Sequence, residues 1–177
     1  QEQKDLHLFE AIDMQIAHYA NMICEQRKNH VESFLPYFLE TYRFISQSKE
    51  EIDLQYASQL LETPMEDLLR KNFERDRALS YTGCGIHRDD IRMTLNGHDI
   101  RRCGSQGQQK SFLIALKLAQ YEQLRQTRHM RPLLLLDDVF DKLDEGRVSR
   151  LLQWVSSEDF GQLFISECNR ERMNTIL

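Results

Sequence analysis

Two short stretches carry side chains whose types and order suit phosphate chemistry. Residues 104–111 read GSQGQQKS. Gly104 and the pair Lys110-Ser111 keep the frame of a P-loop, G-x-x-x-x-G-K-[ST], in which backbone N–H groups wrap a phosphate. Gln109 stands where the second glycine belongs, and the preceding LNGHDIRRC is too short and polar for the core strand that feeds such a loop. A different geometry fits better. Ser105 can cap the helix that follows, and Gly107 allows close approach in its first turn. Free N–H groups and a hydroxyl at a helix N-terminus make an anion site. The plain alternative is a helix cap without a ligand. The second stretch, LLLLDD, ends in Asp137 and Asp138. Carboxylates at the C-terminal edge of a parallel strand lie where α/β sheets bind ligands. One can hold Mg²⁺, and its neighbour can orient or activate an attacking water.

Cys84, His87, His98 and Cys103 fall close together, as C-x-x-H and then H-x-x-x-x-C. Two thiolates and two imidazoles would suit zinc, but neither half has the usual spacing. Unconnected residues around a hairpin turn are the simpler reading. The four cysteines form no close framework, as expected of free thiols in a reducing cytosol.

The elements that must position these residues can be read from periodicity. Residues 1–48 read as helix: Leu6, Phe9, Ile12, Ile16, Tyr19, Ala20 and Ile23 recur at three- and four-residue steps, then Val31 to Ile45 repeat the pattern. Pro36 kinks this stretch or sits near a helix start. IDLQYAS (52–58) alternates like a strand. The next helix runs to about Leu79, with Thr63 as N-cap and Pro64 at the first helical position. IRMTLNGHDI is a strand, an Asn96-Gly97 turn and a returning strand. A long amphipathic helix follows Ser105, and RPLLLLDDV is a buried parallel strand. DEGRVSRLLQWVSS reads as helix, GQLFISE as strand and NRERMNTIL as the start of another helix. Residues 104–177 therefore alternate α-β-α-β-α, which requires a parallel sheet covered by helices.

Composition sets the outer bounds. The chain has 177 residues, 41% hydrophobic and 29% charged, an ordinary globular balance. No apolar run approaches the ~20 residues of a membrane helix, and the polar opening is no signal peptide. Residues 1–80 carry 9 basic and 15 acidic side chains, and residues 81–177 carry 14 and 13. Neither half is a basic nucleic-acid footprint.

The order of motifs resembles the C-terminal part of an ABC-type ATPase head. Ser105-Gln106-Gly107-Gln108 resembles the signature motif, Leu133 to Asp138 resembles Walker B, and Lys142-Leu143-Asp144 resembles the D-loop. Within that superfamily the match is closest to RecF, a bacterial family of DNA repair and recombination. GSQGQQK, ALKLAQ, LLLLDDVFDKLD and the upstream GIHRDD block are RecF-like, although Ile86 stands where the family has proline. FISEC fills the strand where many ABC ATPases carry a switch histidine, so no histidine takes that role. Asp138 replaces the commoner glutamate.

The resemblance implies an α/β C-terminal ATPase lobe at 81–177 and a mainly helical arm at 1–80. It implies ATP and Mg²⁺ as cofactors, with Asp137 on Mg²⁺, Asp138 as the catalytic carboxylate and Asp144 in the D-loop. The signature residues Ser105, Gln106, Gly107 and Gln108 would serve a nucleotide on a second copy, acting in trans. The implied partners are DNA, a homodimeric second head, other recombination mediators and the recombinase, in the cytoplasm and away from membrane. With no G-x-x-x-x-G-K-[ST] in the chain, it reads as a fragment of a longer protein, inactive alone. The alternatives are a transporter's nucleotide-binding subunit, a structural-maintenance-type head, or a non-enzymatic helical module whose carboxylates merely finish a strand.

Overall fold

In the computed structural model, residues 2–47, 50–156 and 160–166 are described, with side chains from residue 8 onward. They form five α-helices, two short 3₁₀ turns and five strands, all within an α/β fold. Two compact units result: Gln1–Ser33 with Leu54–Arg92, and Phe34–Asp53 with Met93–Leu177.

In the first unit, helix α1 (Glu2–Ser46, whose last turns belong to the second unit) meets α2 (Met65–Leu79). The buried face of α1 here is not its large apolar stripe. Ala17, Ala20 and Cys24 are buried, while Phe9, Ile12 and Tyr19 are exposed. Small side chains let Met65, Leu68 and Leu69 of α2, with Cys84, close onto the helix. Pro64, not Thr63, is the N-cap of α2, and no side chain caps it. The fixed φ of proline aims the Pro64 carbonyl at the N–H groups of Asp67 and Leu68, both at 3.1 Å. The GIHRDD block turns on Gly85, whose φ of 119° is open only to glycine, into a 3₁₀ turn at Ile86–Arg88. There Arg27 donates to the Ile86 carbonyl and to Asp89 Oδ2, both at 2.7 Å.

The last turns of α1 belong to the second unit. Pro36 lies inside the helix and not near its start, and the helix continues to Ser46. Phe38, Tyr42 and Ile45 beyond it are fully buried, and this tertiary burial outweighs the lost hydrogen bond. Phe38 and Tyr42 pack on Phe112, with ring centroids at 4.6 and 5.8 Å.

Strands β1 (Ile52–Ala57), β2 (Asp90–Leu95) and β3 (His98–Asp99) form one sheet with β2 central. Asn96 and Gly97 turn the antiparallel β2–β3 hairpin at φ 50° and 77°, as the primed turn requires. The returning strand is shorter than expected. Asp99 accepts from the Arg101 N–H and starts a four-residue helix, α3 (Ile100–Cys103). Helix α4 (Gln106–Arg128) buries Phe112, Ala115, Leu118 and Ala119. Strand β4 (Leu134–Asp137), helix α5 (Glu145–Val155) and strand β5 (Leu163–Ser166) complete a parallel pair, in register from Leu134↔Leu163 to Asp137↔Ser166. The leucine run is buried on one face only: Leu134 and Leu136 are covered, Leu135 is 68% exposed. The helix expected at NRERMNTIL lies outside the described residues.

Candidate functional site

Ser105 is the N-cap of α4. Its Oγ accepts from the Gln108 N–H at 3.2 Å, and its own N–H donates to Gln108 Oε1 at 2.7 Å, a complete capping box. The first N–H groups of a helix have no intrahelical acceptor, and the box engages only that of Gln108. Ser105 and Gln106 are exposed, Gly107 and Gln108 half-buried. This end of α4 therefore offers N–H groups, a hydroxyl and the positive end of the helix dipole outward.

The degenerate P-loop reading fails on local structure. A helix, α3, and not a strand leads into this stretch. Gly104 is extended, at φ −73° and ψ 138°, and a Cβ on it would lie 2.7 Å from the Ile100 carbonyl oxygen. That glycine is needed for a tight turn out of α3. Lys110, in the P-loop lysine's place, donates from Nζ to the backbone carbonyl of Asp138 at 2.9 Å.

Asp137 ends β4 at the C-terminal edge of the parallel pair, where the Ser166 hydroxyl donates to its Oδ1. Asp138 follows in the left-handed region at φ 48°, its N–H donating to the Ser166 carbonyl at 3.2 Å. This backbone turn directs the two adjacent carboxylates differently. Asp137 is exposed and Asp138 half-buried. Asp144 N-caps α5, accepting from the Arg147 N–H at 2.9 Å and pairing with its Nε at 3.3 Å.

These pieces meet around the first turns of α4. A Cβ on Gly107 would lie 3.0 Å from Arg147 Nη1 and 3.4 Å from the Lys142 carbonyl oxygen. Gly107 thus lets α4 approach the DKLD segment, and Lys110 ties α4 to the end of β4. Sequence spacing gives Lys110 only a place in the P-loop frame, and it gives no signal for Arg147 or Ser166. Among the described residues, Cys84, His87, His98 and Cys103 form no metal site, nor do any other three His, Cys, Asp or Glu residues. No described helix is long and apolar enough to cross a membrane.

No protein-family model matches the chain. It is 49% identical over 173 residues to the DNA replication and repair protein RecF of Parabacteroides distasonis, covering 98% of this chain and 47% of that protein. The chain belongs to the RecF family. It is also 48% identical to RecF of Flavobacterium johnsoniae, over 92% of this chain and 45% of that one. RecF of Porphyromonas gingivalis matches at 42% over the whole chain and 49% of its own length. The chain spans about half the length of the curated relatives it matches, and corresponds to their C-terminal part. Two solved structures of the recombination mediator protein RecF of the RecFOR pathway, one with ATP, superpose with TM-scores of 0.76. Each covers 93% of this chain, at 28 and 27% identity. The fold is that of the C-terminal ABC-type ATPase lobe with a mainly helical arm. RecF membership removes the transporter and structural-maintenance alternatives.

Proposed function

We propose that this RecF-family chain is the C-terminal part of an ATP-dependent DNA-binding protein of repair and recombination, which associates head to head on DNA when ATP binds. Hydrolysis then releases the pair, and the cycle helps other mediators load recombinase at single-strand gaps. Residues 81–177 serve as the ATPase lobe and residues 1–80 as the arm. The observation that carries the reading is the exposed, capped end of α4, set beside the acidic end of β4. A non-enzymatic module has no need of a carboxylate pair at the C-terminal edge of a parallel strand.

Mg²⁺ in such sites is held by one or two carboxylates together with substrate phosphates, and Asp137 fits that donor set. Asp137, whose Oδ1 accepts from the Ser166 hydroxyl, would hold the ion. The bound ion supplies positive charge against the phosphates. Asp138 holds the proton of the attacking water. Ser105, Gln106, Gly107 and Gln108 meet the nucleotide of the other copy, and Asp144 sets the D-loop that lies between. The phosphate grip of a P-loop comes from elsewhere in the full-length protein.

The test is Ser105→Arg in the full-length protein. A long cation at this helix end opposes the dipole and fills the anion position. Labelled-ATP binding by the monomer should persist while light scattering shows no ATP-dependent association. Mixing with a P-loop variant should restore one composite site of two. Normal association would refute the trans reading, and loss of binding in the monomer would point back to a P-loop.

A further inference from the structure

Glu50 lies between α1 and β1, and its carboxylate is held at both oxygens. Oε2 accepts from the Tyr42 hydroxyl and Oε1 from Gln108 Nε2, each at 2.7 Å. Tyr42 is fully buried against Phe38 and Phe112, so its hydroxyl is a fixed anchor. Burial first, then the bond to Glu50, raises its pKa above the usual tyrosine value, and it remains a donor. The neighbouring backbone is clamped too: the Glu51 N–H donates to Asn96 Oδ1 at 2.9 Å, and the Asn96 N–H to the Glu51 carbonyl at 2.6 Å.

Gln108 has two ways to point its amide, related by a half-turn. A carboxylate only accepts, so Glu50 selects the orientation with Nε2 toward itself. That leaves Oε1 for the Ser105 N–H, the bond that closes the capping box. The reversed amide would set oxygen against carboxylate and NH₂ against N–H. We propose that Glu50 is a positioning residue for the nucleotide-facing end of α4: by fixing the Gln108 amide it holds Ser105 and the first-turn N–H groups in the geometry that meets a nucleotide on a second copy. This rests on the trans reading of the signature residues.

The experiment compares Glu50→Ala, Glu50→Gln, Gln108→Ala and the double variant Glu50→Ala with Gln108→Ala, all in the full-length protein with ATP. Ser105→Arg serves as the association-deficient reference. A hydrogen bond to a charged group sets the scale, and Glu50→Ala should weaken ATP-dependent association about tenfold, with ATP binding by the monomer unchanged. Glu50→Gln, whose oxygen still accepts from Gln108, should recover most of it. The double variant should be no worse than Gln108→Ala alone, because Glu50 acts through that amide. Tyr42→Phe, which keeps the core packing, should weaken association in the same direction by less. Wild-type association in Glu50→Ala, with Ser105→Arg still deficient, overturns the role of Glu50 alone. Additive losses in the double variant, or Glu50→Gln no better than Glu50→Ala, do the same. Normal association in Ser105→Arg overturns the trans reading and this inference with it.

Discussion

Replacing Asp138 by asparagine separates its chemistry from its shape. Its φ of 48° is in the left-handed region, which Asn and Asp enter far more readily than other residues with a Cβ. Its N–H bonds the Ser166 carbonyl at 3.2 Å, and its carbonyl accepts from Lys110 at 2.9 Å. Asparagine keeps all of this, so stability should change by no more than ~0.5 kcal/mol. Alanine lacks the left-handed tolerance and should cost ~1–2 kcal/mol, a fall of roughly 2–8 °C in Tm at this size. Hydrolysis by the full-length protein should fall ~10²–10⁴-fold in both variants, while ATP binding in the asparagine variant stays largely intact. Thermal melts and steady-state turnover run on both variants separate the two effects. Unchanged turnover in Asp138→Asn would remove its catalytic role, and equal Tm losses in the two would refute the backbone argument. Asp137→Asn should instead weaken Mg²⁺-dependent nucleotide binding; identical phenotypes at 137 and 138 would erase the division of labour.

Two further substitutions probe the scaffold. Gly107→Ala should miss the ~1 kcal/mol gain of an open helical glycine-to-alanine change, because its Cβ would press on Arg147 Nη1 at 3.0 Å; a clear rise in Tm would show that this approach is slack. Arg27→Gln should cost ~1–2 kcal/mol in denaturant unfolding, discounted because the guanidinium is half-exposed. It strips a charged donor from Asp89, whose side chain is 5% exposed and whose Oδ1 has no partner. Adding Asp89→Asn should recover part of that loss, and strict additivity would refute the coupling.

Local chemistry made much of this fold readable. Helical spacing marks α1, the Asn96-Gly97 pair marks the hairpin, and Ser105 and Asp144 stand at helix starts they do cap. These signals act within a few residues, so no tertiary knowledge is needed. Errors arose where tertiary burial overrides local preference. Pro36 reads as a kink or a helix start, yet it lies inside α1, and Phe38, Tyr42 and Ile45 just past it are buried and keep the helix going. The residues Ile100 to Cys103 have too few positions to show a helical period, and the helix exists because Asp99 caps it.

The candidate site divides along the same line. Its ends, Ser105 and the Asp137-Asp138 pair, stand out because each sits at the boundary of an element where unpaired backbone groups and sheet edges concentrate. What holds those ends is invisible to spacing. Gln108 meets Glu50 across 58 residues and Lys110 meets the Asp138 carbonyl across 28, and nothing about a glutamate in a polar segment or a lysine on a helix specifies its partner. The leucine run has the opposite difficulty. Strands report their buried face through a period of two, and four identical residues erase that period. Which leucines are covered is decided by what the sheet packs against. Leu134 and Leu136 point one way and Leu135 the other, as in any strand, and packing against the sheet covers only the first pair.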